Sequence, residues 1–215
     1  MYETIVFDLD GTLLDTLDDL ADATNAALAS CGLPPRTRDE VRAFVGNGAL
    51  KLIERAVGEE RKALVSDAFA VFKQHYAAHC ADKTAPYAGI LSLLEELKIR
   101  GVKTAVLSNK PDFAVKELAQ VYFKGLLEDA VGENEEAGIR KKPAPDALFA
   151  VMKKLSAEPK TTVYVGDSDV DIQTAQNAGI DCICVTWGFR DKEFLKAHGG
   201  VYFVDAPTEI LHYIK

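Results

Sequence analysis

At 215 residues the chain can bury one large core, or a core plus a smaller module, and its 48% hydrophobic and 27% charged residues are ordinary for a globular protein. A net charge of -8 argues against binding along a nucleic-acid backbone, which requires clustered Lys and Arg rather than an acidic field. No stretch approaches the ~20 apolar residues of a membrane span, and MYETIVFDLD enters a strand without a basic, apolar leader, so the expectation is a cytoplasmic protein, monomer or homodimer, with no membrane partner.

The first element is Thr4-Ile5-Val6-Phe7, a β-branched and aromatic run that reads as a buried strand and delivers Asp8, Leu9 and Asp10 to a Gly11-Thr12 turn. Alternation places Asp8 and Asp10 on one side, leaving the sheet at its carboxyl edge, where open α/β sheets bind ligands. From Leu17 to Cys80 the pattern is helical throughout. A helix over 17–32 stops at Gly32 and Pro34-Pro35, Thr37 to Glu40 forms a capping box for a short helix through Phe44, and Val45-Gly46-Asn47-Gly48 breaks it. ALKLIERAV then resumes the helix, and a longer one is expected from about Glu59 to Cys80.

Beyond Ala81 helices and strands alternate, the pattern of a parallel sheet. A helix from Gly89 to Arg100 precedes the strand VKTAVLSNK, which ends in Ser108, Asn109 and Lys110, and a helix from Asp112 follows. A short strand at 129–132 leads into the loop ENEEAGIRKKPAP, a helix to Leu155, the strand TTVYVG with Asp167 at its end, and a helix from Asp169 to Ala178. Strands at 181–185 and 201–204 and a terminal helix from Thr208 complete the chain. The expected architecture is α/β: a Rossmann-like parallel sheet core, 1–15 and 83–215, with an inserted all-helical cap domain, 16–82. Cys31, Cys80, Cys182 and Cys184 have no C-x-x-C spacing and read as free thiols.

A lone D-x-D turn is equally well a helix cap, but three further strand ends carry complementary groups in order. VFDLDGTLLDT, VLSNK, KKPAPD and VGDSDVDI resemble the four motifs of the haloacid dehalogenase superfamily of phosphohydrolases, in register from residue 1 to about 190. The resemblance implies that Asp8 attacks phosphorus and forms an aspartyl-phosphate, and that Asp10 is the general acid and then the base. It also implies a fixed cation at Lys142, which directly precedes the Pro of K-P-x-P, with Lys141 left on the surface. Ser108 and Asn109, with the Gly11 and Thr12 amides, would hold phosphoryl oxygens. The Asp8 carboxylate, the Asp10 carbonyl and Asp167, with Asp171 through water or a second layer, make an oxygen-only set suited to Mg2+.

The segment Val45 to Ala49 resembles the cap of phosphoglycolate phosphatases. Gly46, Asn47 and Gly48 expose amides for a small carboxylate, and Arg42 is a candidate charge, although Arg42, Lys51 and Arg55 also read as solvated helix residues. Thr186-Trp187-Gly188-Phe189 resembles the same subfamily, with no mechanistic meaning in its spacing, and Trp187 reads as packing near the site rim. The expected activity is magnesium-dependent hydrolysis of a small phosphorylated metabolite, 2-phosphoglycolate foremost. Pyrophosphatase, sugar-phosphate phosphatase and phosphoglucomutase are alternatives on the same core, and a receiver-type phospho-accepting module is the alternative of another class.

Overall fold

The computed structural model describes residues 1–134 and 138–214; part of the expected loop between Asn134 and Lys141 lies outside the described residues. The chain forms two compact units, Met1–Leu14 with Pro86–Lys215, and Asp15–Ala85. The chain passes between them through two short strands, β2 (Leu14–Asp15) and β3 (Ala85–Pro86).

The first unit is built on a six-stranded parallel sheet of β1 (Thr4–Phe7), β4 (Lys103–Pro111), β5 (Asp129–Glu133), β6 (Thr162–Gly166), β7 (Asp181–Val185) and β8 (Tyr202–Val204), in the order β5-β4-β1-β6-β7-β8. β1 lies between β4 and β6, and all four of its residues are buried, which accounts for an apolar run without alternation. Val6, Leu107 and Tyr164 pack with Leu148, Val151 and Met152 of the helix Asp146–Lys154 and with Ala175 of the helix Asp169–Ala178. Phe7 is in register with Val106 on one side and Val165 on the other. The three adjacent strands are therefore aligned where β1 ends, and Asp8, Ser108 and Asp167 follow on the same side of that line.

The second unit holds four helices, α1 (Leu17–Ser30), α2 (Arg38–Phe44), α3 (Ala49–Val57) and α4 (Val65–His79). α1 packs against α4, which buries Phe72 and Tyr76 with their rings stacked 5.4 Å apart. The capping box is present: Thr37 Oγ1 accepts from the Glu40 N–H, and the Glu40 carboxylate accepts from the Thr37 N–H. The long helix expected from Glu59 begins instead at Val65, because Glu59–Leu64 forms a 3-10 turn in which Arg61 leaves helical dihedrals (φ -122°, ψ 25°). The terminal helix is likewise a 3-10 segment, Pro207–Tyr213, and Lys192–Ala197 forms a short helix, capped by Asp191, that periodicity did not reveal. All four cysteines are free thiols. Among the described residues no helix is long and apolar enough to cross a membrane.

One buried carboxylate organises the second unit. Asp19, in the first turn of α1, accepts from the Lys83 N–H at 3.0 and 3.1 Å and from the Thr84 N–H and hydroxyl, each at 2.8 Å. Removing it takes this acceptor from the buried Thr84 amide and hydroxyl, at roughly 1–3 kcal/mol for each, while the Lys83 amide, on an exposed residue, can turn to water. Asp19→Ala is therefore expected to lower the urea midpoint by the equivalent of about 2–4 kcal/mol; an unchanged midpoint would show that these donors find water instead.

Candidate active site

The turn after β1 is tightened by one carbonyl, Leu9 O, which accepts from the amides of Thr12 (3.3 Å), Leu13 and Leu14 (both 3.0 Å). Gly11 adopts φ +80°, and a Cβ there would lie 2.2 Å from Asp167 Oδ2, so both backbone sign and space exclude a side chain. The Asp8 carboxylate is buried and its Oδ1 accepts from the Leu9 N–H at 2.7 Å. Asp10, less buried, pairs through Oδ1 with Lys110 Nζ at 2.7 Å, and Thr12 Oγ1 donates to Asp167 Oδ1 at 3.4 Å.

Lys142 is almost wholly buried, 3% exposed, and its ammonium meets three acceptors: Asp171 Oδ1 at 2.7 Å, the Tyr164 hydroxyl at 2.9 Å and Asp8 Oδ1 at 3.0 Å. Asp171 and the Tyr164 hydroxyl accept hydrogen bonds from it, and Asp8 faces it as an ion pair. The backbone of Lys142, which precedes a cis Pro143, is clasped by Asn109, whose Oδ1 accepts from the Lys142 N–H (2.8 Å) and whose Nδ2 donates to the Lys142 carbonyl (2.9 Å). Tyr164 in turn donates to Leu107 O at 2.6 Å. On the far side of the centre Ser168 caps the helix that follows β6. Asp171, the third residue of that helix, completes the capping box by accepting from the Ser168 N–H (3.1 Å) and hydroxyl (2.6 Å).

Asp8, Asp167 and Asp171 each place a carboxylate oxygen within 4.8 Å of the others, all buried. Burial pushes the Asp8 carboxyl up to about 6, with Asp171 and Asp10 adding to the rise and the Lys142 ammonium opposing it. Asp167 is pushed well above the usual carboxylate range by burial and then by Asp171 and Asp8, against the pull of the Phe189 amide and Lys142. Burial disfavours the Lys142 ammonium, but Asp171 and Asp8 outweigh it and hold its pKa well above that of an ordinary lysine. One ammonium thus faces three buried carboxylates. The centre is short of positive charge, and its donors are all oxygen, which fits a hard divalent cation and not a thiolate- or imidazole-seeking metal.

The structure gathers Asp8, Asp10, Gly11, Thr12, Ser108, Asn109, Lys142, Asp167 and Asp171 at the carboxyl edge of the first unit. Asn109, read from sequence as a phosphate donor, has its amide engaged with the backbone of Lys142. Arg42, Gly46, Asn47 and Gly48 lie in the second unit, around the connection from α2 to α3. There Arg55 is no solvated helix residue: it donates to Phe44 O at 2.6 Å and to Asn47 Oδ1 at 2.7 Å, so it shapes the loop. Lys51 pairs with Glu54 on an exposed surface. Three contributors escaped the sequence reading: Lys110, Tyr164 and the Phe189 amide, which donates to Asp167 Oδ2 at 2.6 Å. For Tyr164 the one signal was a phenol hydroxyl in a buried strand, which must find a partner, but the sequence does not say which.

With this geometry in place, the comparisons with known proteins are specific. The model of the haloacid dehalogenase-like hydrolase family matches residues 5–185. Phosphoglycolate phosphatase 1 of Pseudomonas aeruginosa is 35% identical over 96% of this chain and 75% of its own length, and the phosphoglycolate phosphatase of Colwellia psychrerythraea is 33% identical over 99% and 97%. The crystal structure of a candidate phosphoglycolate phosphatase from Lactobacillus delbrueckii superposes with a TM-score of 0.92 at 38% identity, covering 99% of this chain and 98% of that one. A predicted phosphoglycolate phosphatase from Haemophilus somnus gives 0.90 at 28%, covering 100% and 98%. Matched by the family model over most of its length, and by these relatives over nearly all of it, the chain belongs to the haloacid dehalogenase-like hydrolases.

Proposed function

We propose that the chain is a magnesium-dependent phosphatase that works through an aspartyl-phosphate on a small phosphorylated metabolite, 2-phosphoglycolate foremost. The observation that carries this reading is the Lys142 ammonium held between Asp8 and Asp171, with Asp167 in the same carboxylate cluster. A phosphate ester resists attack because nucleophile and phosphoryl group are both anionic, so a catalyst must position them and neutralise charge. When bound by Asp8, the Asp10 carbonyl and Asp167, magnesium supplies the positive charge that the cluster lacks.

In this reading an Asp8 oxygen attacks phosphorus, the bond from phosphorus to the leaving oxygen breaks, and Asp10 gives that oxygen its proton. Asp10, now a carboxylate, takes a proton from water as the water oxygen attacks phosphorus and the bond to Asp8 breaks. Lys142 offsets the charge at Asp8 throughout. Ser108 and the Gly11 and Thr12 amides hold phosphoryl oxygens, and Asn109 serves by holding Lys142. Residues 16–82 are assigned to a cap that selects the substrate, with Gly46, Asn47, Gly48 and Arg42 for its carboxylate and residues 1–15 and 83–215 as the catalytic core. The names of the relatives favour 2-phosphoglycolate over pyrophosphate, hexose phosphates and a mutase reaction, which a substrate profile separates. The family match removes the basis for a receiver-type module.

Asp8→Asn is expected to lower turnover of 2-phosphoglycolate at least about a thousandfold with an unchanged circular dichroism spectrum; near-normal turnover would refute Asp8 as nucleophile. Chelation should abolish activity and magnesium restore it, and magnesium at 100 times its Kd should stabilise the chain by about 2.7 kcal/mol in thermal melts. A metal-independent rate or an unmoved Tm would contradict the metal reading.

The same variant has a second, opposite effect on the metal-free protein. The folded Asp8 carboxyl is raised from 3.8 to about 6, so between those values the folded state binds more protons than the unfolded one and stability falls as pH rises. The penalty is absent below about pH 4 and full above about pH 6. Asp8→Asn, which cannot ionise, should therefore raise the metal-free Tm at pH 8 by the equivalent of roughly 1–3 kcal/mol and lose that advantage near pH 4. Equal melting at pH 8 would show that the buried anion carries no such cost.

A further inference from the structure

The segment Trp187–Phe189, which follows β7, makes three contacts with the acidic centre. The Trp187 indole N–H donates to Thr12 O at 3.0 Å, in the turn after Asp8 and Asp10. The Phe189 amide donates to Asp167 Oδ2 at 2.6 Å. Between them Gly188 packs so closely that a Cβ would stand 2.3 Å from Asp167 Cβ, 2.4 Å from Gly11 O and 2.5 Å from Asp167 Oδ2. Any larger residue would displace either the Asp167 side chain or the turn after β1.

We infer that Trp187, Gly188 and Phe189 form a clamp of positioning residues that holds the Asp167 carboxylate in one orientation and ties it to the Gly11-Thr12 turn, so that a divalent cation meets a prearranged set. The inference rests on the reading of Asp167 as a cation ligand. Its physical basis is that a carboxylate free to rotate must be ordered when the ion arrives. One whose second oxygen already accepts a short amide hydrogen bond has less to lose. Gly188 provides the approach that lets the Phe189 amide reach Asp167, and the indole fixes the other wall by anchoring Thr12. Loss of outer contacts of this kind typically weakens metal binding ten- to a hundredfold.

The test titrates magnesium into the metal-free wild type, Gly188→Ala and Trp187→Phe by calorimetry, alongside a thermal melt of each metal-free protein. The expected result is a Kd for magnesium raised about tenfold in Gly188→Ala and severalfold in Trp187→Phe. The metal-free Tm of Trp187→Phe should stay within a few degrees, whereas that of Gly188→Ala should fall, because its Cβ must displace the Asp167 side chain or the turn after β1. Because Trp187 is the one tryptophan of the chain, its emission in the wild type should also change as magnesium is added. Wild-type magnesium affinity in both variants overturns the inference; if Gly188→Ala does not fold, wild-type affinity in Trp187→Phe alone does so. A wild-type chain that binds no magnesium removes the Asp167 reading and the clamp with it, an outcome distinct from a wild type that binds and variants that bind equally well.

Discussion

Three buried carboxylates facing one ammonium set the terms for everything around them. Asp8, Asp167 and Asp171 are held within a few ångströms of one another, with Lys142 paired to Asp8 and Asp171. Such an arrangement is costly in a low-dielectric interior unless geometry is fixed and hydrogen bonding complete. The raised Asp8 and Asp167 carboxyls are the direct expression of that cost. A site with this imbalance suits a divalent cation, which offsets the excess of negative charge.

The surrounding residues are arranged to leave nothing in that centre loose. The Lys142 ammonium is held by hydrogen bonds to Asp171 and Tyr164 and by its ion pair with Asp8, and its backbone is gripped by Asn109 from β4. Asp171 serves twice, as partner of Lys142 and as the reciprocal member of the Ser168 capping box, so that helix initiation and charge placement are one event. Tyr164 links Lys142 to the Leu107 carbonyl and thereby couples β4 and β6, which flank β1. Contacts of this kind pre-position charged groups before a substrate arrives, which is where catalysis of phosphoryl transfer chiefly resides.

The second unit is stabilised by a different principle. Its helices pack through apolar stripes, and discrete polar contacts tie them together: Asp19 on Lys83 and Thr84, Asn25 on the Arg36 backbone, Arg36 on Ala56 O, and Arg55 on Asn47 and Phe44. Arg55 shows how a charged helix residue acts structurally, since its guanidinium satisfies a carbonyl at the end of α2 and shapes the loop whose glycines Gly46 and Gly48 take positive φ.

The parallel sheet, the helical insertion and the acidic strand ends were readable from residue patterns, because burial on both faces of β1 demands a continuous apolar run and the motif spacings are local. Helix ends with chemical markers, such as the Thr37 capping box, were equally visible. Where the chain lacked such markers the reading slipped, as at Glu59–Leu64 and Pro207–Tyr213, whose 3-10 geometry depends on packing that periodicity does not encode. The partners of Lys142, Lys110 and Asp167 were beyond reach for a related reason. Contacts between Lys142 and Tyr164, Lys110 and Asp10, or Phe189 and Asp167 join residues far apart in the chain through distance and direction, which only strand order and register supply. Chain-local chemistry named the candidate groups, and folding decided which of them touch.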